Sequence, residues 1–217
     1  MKKVVSLEEA GKLIKSEMTV MIGGFLKTGG PQLIIDEMIK NDVKDLTLIA
    51  NDTSTPECDK GKLVVEKRIK KVICSHIGTN PETGRQMHSG EMEVVLTPQG
   101  TLAEIIRAGG AGLGGVLTPT GLGTIVQEGK EVLEVNGSKY ILEKAIRAEV
   151  AILYATKADK YGNLSYTGST RNFNPVMATA ADTVIVEADE IVDGALDPKE
   201  IIVPGIYVDY IIQGGKR

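Results

Sequence analysis

Apolar positions recur along this chain with two periods, and the way they alternate sets the expected architecture. Ser6-Leu7-Glu8-Glu9 has the form of a capping box, with Ser at the N-cap and Glu three residues on. Ala10, Leu13 and Ile14 follow at helical spacing. Residues 19–22, Thr-Val-Met-Ile, read as a short buried strand that runs into Gly23-Gly24-Phe25. Pro31 stands where a second helix would begin, with Ile34 and Met38 marking its buried face. Strands are predicted over 46–50, 72–75 and 94–96. Thr101-Leu102-Ala103-Glu104 reads as another capping box, opening a helix that stops at Gly109.

The second half changes character. Residues 109–130 are rich in Gly and contain Pro119, so they read as loop. Residues 132–142 form two alternating runs around Asn136-Gly137, the pair favoured in a type I′ hairpin turn. Residues 150–154 and 183–186 are apolar and β-branched, 159–163 look like a turn between them, and 206–212 could form a last strand. Strands alternating with helices and then hairpins predict an α/β fold: a mostly parallel sheet with helices on its faces and an added β-hairpin flap. A length of 217 residues fits one domain, spanning 1–217, better than two.

Composition narrows the partners. The formal charge is −4 with acids and bases interspersed, so nucleic acid is not expected. The most basic stretch, Glu66-Lys67-Arg68-Ile69-Lys70-Lys71, reads as a solvated helix end. No apolar run approaches the ~20 residues of a membrane span, and Met1-Lys2-Lys3 leads into a polar helix start rather than a signal peptide. Cys58 and Cys74 form no CxxC and have no His at ligand spacing. A reduced, soluble, cytoplasmic protein is therefore expected.

The glycines are clustered, and one cluster carries chemistry. Gly23-Gly24-Phe25-Leu26-Lys27-Thr28-Gly29-Gly30-Pro31 follows a strand and precedes a helix. Such a segment lets main chain approach a ligand and places N–H groups where negative charge is stabilised. From spacing alone it is equally a flexible β–α turn. Gly110-Ala111-Gly112-Leu113-Gly114-Gly115 contains a literal G-x-G-x-x-G, but it follows a helix, which argues against a dinucleotide site. No phosphate-binding P-loop is present. His76 and His88 lack companion ligands and read as structural or surface residues; no metal site is expected. Asp182, Glu187, Asp189 and Glu190 bracket a strand and read as a solvated edge.

The G-G-F-x-x-x-G-x-P pattern after Val20-Met21-Ile22 resembles the first signature of the class I CoA-transferases. Ala50-Asn51-Asp52-Thr53, Ser75 through Gly84, Leu96-Thr97-Pro98-Gln99-Gly100-Thr101-Leu102, Ile106 through Gly112, Thr118 through Gly121, and Arg171-Asn172-Phe173-Asn174-Pro175 also look like that family's A subunit. The resemblance runs in order from about Val5 to Gln213, and is nearest to the acetate or butyrate:acetoacetate type. Two departures stand out. Ser16-Glu17 replace the Asp/Asn and Gly/Asn that usually open the signature, and Asp59-Lys60-Gly61 stand where close relatives have Gly-Ile-Gly.

The resemblance implies a three-layer α/β fold and a transferase of short-chain acyl-CoA. Its nucleophile would be a glutamate on a separate B subunit, in an α2β2 or larger assembly. This chain has no Ser-Glu-Asn-Gly motif; Glu134-Val135-Asn136-Gly137 is the nearest string, and it belongs to the hairpin. No catalytic residue is therefore expected here. The implied substrate and oxyanion residues are Gly23, Gly24, Phe25, Asn51 and Gln99, with Gly29 and Gly30 expected near the CoA substrate. No tightly bound cofactor is expected. A 3-oxoadipate or succinyl-CoA:3-oxoacid enzyme, and a ligand-sensing homologue without chemistry, are the alternatives.

Overall fold

Successive residues of the 19–22 strand go to opposite sides of one sheet, and both sides are covered. Val20 and Ile22 join one apolar cluster and Met21 another, all three fully buried. A strand buried on both faces reads as a continuous apolar run, which is why its sequence does not alternate. The protein is described from a computed structural model covering residues 3–215. Its elements are β1 (Lys3–Val4), α1 (Leu7–Gly11), β2 (Thr19–Ile22), α2 (Gln32–Lys40), β3 (Leu46–Ala50) and α3 (Lys60–Val65). There follow β4 (Ile69–Cys74), α4 (Pro81–Ser89), β5 (Glu93–Leu96), α5 (Gln99–Gly110), β6 (Gly115–Thr118), β7 (Val132–Val135) and β8 (Ser138–Lys144). The chain ends with β9 (Ala148–Asp159), β10 (Leu164–Ser165), α6 (Asn174–Met177), β11 (Ala181–Val192) and β12 (Tyr210–Gln213).

The main sheet has the order β1-β12-β11-β9-β2-β3-β4-β5, parallel throughout, with β10 pairing antiparallel to β9. One face carries α1, α2 and α3 through Ala10, Ile34, Met38, Leu63 and Val64. The other carries α5 and α6 through Leu102, Ile105, Ile106 and Met177. The architecture is thus the expected three-layer α/β arrangement. A second, antiparallel sheet of order β6-β8-β7 forms the flap. Its hairpin turns at Asn136 (φ 52°) and Gly137 (φ 76°), the left-handed pair that a type I′ turn requires. Strand β6, from the segment read as loop, completes it by pairing with β8.

Four expectations are corrected. The helix after β5 begins at Gln99, with Pro98 at its N-cap and Thr101 already inside its first turn. Thr101 therefore caps nothing, and its buried Oγ1 has no hydrogen-bond partner. The same helix runs to Gly110, and Gly109 and Gly110 serve packing: a Cβ at either would overlap the Ile146 carbonyl or the Thr179 side chain. The basic stretch is a solvated helix end only at Glu66, the C-cap of α3; residues 69–71 are already β4. The acidic cluster is not an edge, because β11 lies between β9 and β12. Glu187 is fully buried and accepts from the Leu33 and Ile34 amides (2.8 and 3.2 Å) at the start of α2. A carboxylate suits that position, where helix N–H groups lack internal partners. Finally, the last strand is shorter than 206–212: a 3₁₀ turn covers Gly205–Tyr207 before β12.

Candidate active site

Strands β2, β3, β4 and β5 extend the sheet one way, and β9, β11 and β12 extend it the other. The reversal lies between β2 and β9. In open α/β sheets that point, at the carboxyl ends of the strands, leaves a crevice. The register puts one residue per strand along it. Ile22 pairs with Ala50, Ile49 with Ile73 and Cys74 with Leu96, so Gly23, Asn51, Ser75 and Thr97 form a single row just past the strand ends. Main-chain bonds continue the sheet into the row: Gly23 N to Ile152 O (3.0 Å), Ser75 N to Asn51 O (3.1 Å) and Thr97 N to Cys74 O (2.9 Å).

Asn51 and Gln99, implied 48 positions apart, meet here. Gln99 Nε2 donates to Asn51 Oδ1 at 2.7 Å. Asn51 is 4 % exposed, while Gln99 lies open at the start of α5 rather than at a strand end. Ser75, which the residue reading passed over, joins them: its Oγ reaches both the Asn51 carbonyl (2.7 Å) and Gln99 Oε1. A hydroxyl has one proton, so it serves one acceptor at a time. Each amide NH₂ carries two protons. Asn51 Nδ2 bonds to no described residue, and Gln99 Nε2 has one proton beyond the one given to Asn51. The pair thus offers neutral donors at one point of the crevice. Next to Gln99, Gly100, Thr101, Ala103 and Glu104 face Val116, Leu117 and Thr118 of β6 across a groove of about 480 Å³.

The glycine loop is held more tightly than its composition suggests. Gly24 (φ 97°) donates its amide to Asn172 Oδ1 (3.0 Å), and Phe25 and Thr28 exchange two main-chain bonds of 2.9 Å. With Gly23 bonded to Ile152, the amides of Gly23, Gly24 and Phe25 are all committed in this conformation. Gly23 is glycine because Asn174 fills the place of a Cβ, and Gly29 (φ 67°) because Thr170 and Asn172 do. Asn174 also braces the neighbours, accepting from Tyr154 N (3.0 Å) and donating to Gly29 O (3.0 Å). At Gly30, Asp59 Oδ2 occupies the Cβ position. The glycines are therefore packing positions that bring the loop against 170–174 and Asp59. What the loop presents outward is Phe25, 43 % exposed, together with Lys27.

Beneath the loop lies a buried charge cluster. Lys60, Asp52 and Asp59 are fully buried. Asp52 Oδ2 accepts from Leu26 N (2.9 Å) and Ser54 Oγ donates to Leu26 O (2.9 Å), tying the loop tip to the segment that carries Asn51. Burial pushes the Asp59 carboxyl above its ordinary pKa, against the pull of the Lys60 ammonium. Neither histidine approaches this row as a ligand set, and no group of metal-ligating side chains exists among the described residues. Cys58 and Cys74 are unpaired, and burial raises the Cys74 thiol to about 12. Among the described residues no helix is long and apolar enough to cross a membrane.

The family model for coenzyme A transferase matches residues 4–214. The chain is 52 % identical over 211 residues to the acetate CoA-transferase subunit alpha of Escherichia coli K12, covering 97 % of this chain and 96 % of that one. It is 47 % identical over 212 residues to the acetoacetyl-CoA:acetate/butyrate CoA transferase alpha subunit of Clostridium acetobutylicum, covering 97 % of each. An acyl-CoA transferase from E. coli O157:H7, solved as a thioester complex with CoA, superposes with a TM-score of 0.88 over 98 % of this chain and 47 % of that chain. At 22 % identity that likeness concerns the fold. The chain belongs to the coenzyme A transferase family.

Proposed function

We propose that this chain is the A subunit of an enzyme that moves CoA between a short-chain acyl-CoA and a carboxylate such as acetate, butyrate or acetoacetate. The observation that carries this is the Asn51–Gln99 amide pair in a row that, among the described residues, contains no glutamate. Neutral amides stabilise a developing oxyanion without giving up a proton, which is what acyl transfer needs. Asp52, which follows Asn51 in the chain, is buried and already bonded to Leu26 N. In this reading the nucleophile is a glutamate of a B subunit, as the resemblance to the family's A subunits implies, in an α2β2 or larger assembly in the cytoplasm.

In this reading the partner's glutamate attacks the thioester carbonyl, CoA leaves as thiolate, and an acyl-glutamyl anhydride forms. The thiolate then attacks the glutamyl carbonyl, releasing the first carboxylate and leaving a glutamyl-CoA thioester. The second carboxylate reverses the sequence, so the thioester's energy is kept. Each addition passes through an oxyanion that Asn51 Nδ2 and the spare proton of Gln99 Nε2 are placed to receive. Phe25 on the loop tip walls the acyl side, and CoA enters as substrate with no resident cofactor.

The test is a transfer assay with acetoacetyl-CoA and acetate, on this chain alone and co-expressed with a B subunit of the acetate CoA-transferase type. Activity in the mixture only is expected. Activity from this chain alone would overturn the divided site, and silence in both would overturn the reading.

A further inference from the structure

Lys60 is a lysine with no exposure to solvent, and its ammonium sits among four oxygens. Gly23 O and Gly24 O lie at 3.3 and 3.4 Å, Asp52 Oδ1 at 3.5 Å and Asp59 Oδ1 at 3.6 Å. Each contact is long for a hydrogen bond, so the ammonium acts as one charge shared by four partners. Two of the four are consecutive carbonyls of the glycine loop. In a trans peptide the N–H points opposite to the C=O. Holding both carbonyls inward therefore turns the Gly24 and Phe25 amides away from the cluster, to Asn172 and Thr28.

Asp59 makes the arrangement costly to keep. Its backbone lies at φ 51°, ψ −139°, a region that side chains other than glycine rarely adopt. It stays there because its carboxylate accepts from Lys60 N (2.7 Å), its own amide donates to Gln32 Oε1 (3.0 Å), and its Oδ2 fills the space left open at Gly30. Strain held by so many contacts marks a segment whose position matters. The position at stake is the gap between Phe25 and Asn51. Asp52 follows Asn51 directly and holds Leu26, one residue past Phe25.

We propose that Lys60 is a positioning residue: by neutralising Asp52 and drawing in the Gly23 and Gly24 carbonyls, it sets the loop's distance from Asn51 and so the size of carboxylate the crevice accepts. This role rests on the CoA-transfer reading. Removing the ammonium leaves Asp52 and Asp59 as buried carboxylates without their cation, and the loop tip that Asp52 holds is the part expected to shift.

The experiment compares kcat/KM for acetate and for hexanoate in the complex with the B subunit, in wild type, Lys60→Met and Asp52→Asn/Lys60→Met. The ratio of the two constants within one preparation does not depend on how much of it is folded. The wild type is expected to favour acetate, and both variants to lose about tenfold of that preference, the size of effect one methylene makes in a pocket. The double variant removes one of the two carboxylates stranded by loss of the ammonium and leaves Asp59 with the backbone amide of position 60, so it tests the idea where the single one fails to fold. An unchanged ratio with lowered activity reduces Lys60 to a structural role and overturns the proposal. So does failure of both variants to fold. A wild-type complex that transfers no CoA removes the underlying reading instead.

Discussion

Gln99 Nε2 donates to Asn51 Oδ1 at 2.7 Å, joining the first residue of α5 to the first residue past β3. The bond orients both amides: with Oδ1 turned to Gln99, the Asn51 NH₂ is directed elsewhere. Ser75 completes the set from the strand between them.

Because the two amides orient one another, their losses should not add. Gln99→Ala and Asn51→Ala are each expected to lower kcat/KM of the complex by the ~10²–10³-fold typical of losing one oxyanion donor. The double variant should fall little further than the worse single one. A double-mutant cycle in the transfer assay checks this, and simple additivity would mean independent roles.

Asp159 should govern part of the acid limb of stability. Its burial works to raise the carboxyl's pKa, but bonds from the Asn163 side chain and the Leu196, Asn163 and Tyr161 amides outweigh burial and hold it below the ordinary value. These bonds run from 2.8 to 3.0 Å and tie the 159–163 turn to Leu196. A carboxyl with a folded pKa below its unfolded one stabilises the protein fully above the unfolded value, about 4, and loses that contribution as pH falls through the folded value. Urea midpoints measured through the carboxylate range should show this fall in wild type and a flatter limb in Asp159→Asn. Asp159→Asn should also be less stable near neutrality, since its NH₂ faces donors.

Two helix glycines should respond to alanine with opposite signs. A Cβ at Gly109 would overlap the Ile146 main-chain oxygen, which cannot rotate away. Gly109→Ala is expected to cost about 1–3 kcal/mol, as overpacking does. Gly84, inside α4, has nothing within 4 Å of its Cβ position, and Gly84→Ala should gain about 0.5–1 kcal/mol. Shifts of the urea midpoint in the two variants decide it, and equal signs would contradict the packing described.

Much of this protein is legible before folding because the signals are local. Ser6 caps α1 as its spacing requires, accepting from Glu9 N at 3.1 Å. Asn136-Gly137 turns the flap hairpin because few other pairs tolerate two positive φ angles. The apolar runs at 19–22 and 46–50 are strands buried on both faces. The likeness of whole segments pointed to the family and to Asn51 and Gln99, although nothing in their spacing says that they touch. That contact depends on register across β3, β4 and β5, a property of strand pairing distant in sequence. The glycine loop shows the same division. Its sequence declares close approach, but Asn172, Asn174 and Asp59, which do the approaching, lie up to about 150 positions away. Lys60 stands out in the sequence only as part of the Asp59-Lys60-Gly61 departure from the family pattern; its burial among four oxygens is what gives it a part. The sequence by itself determined the elements with local signals, among them α1, β2, β3 and the Asn136-Gly137 turn, because propensity and capping act over a few residues; it did not mark α3, α4 or β6. The tertiary structure decided which polar groups meet at the sheet's carboxyl edge, because a buried charge or amide is defined by the partners that folding brings to it.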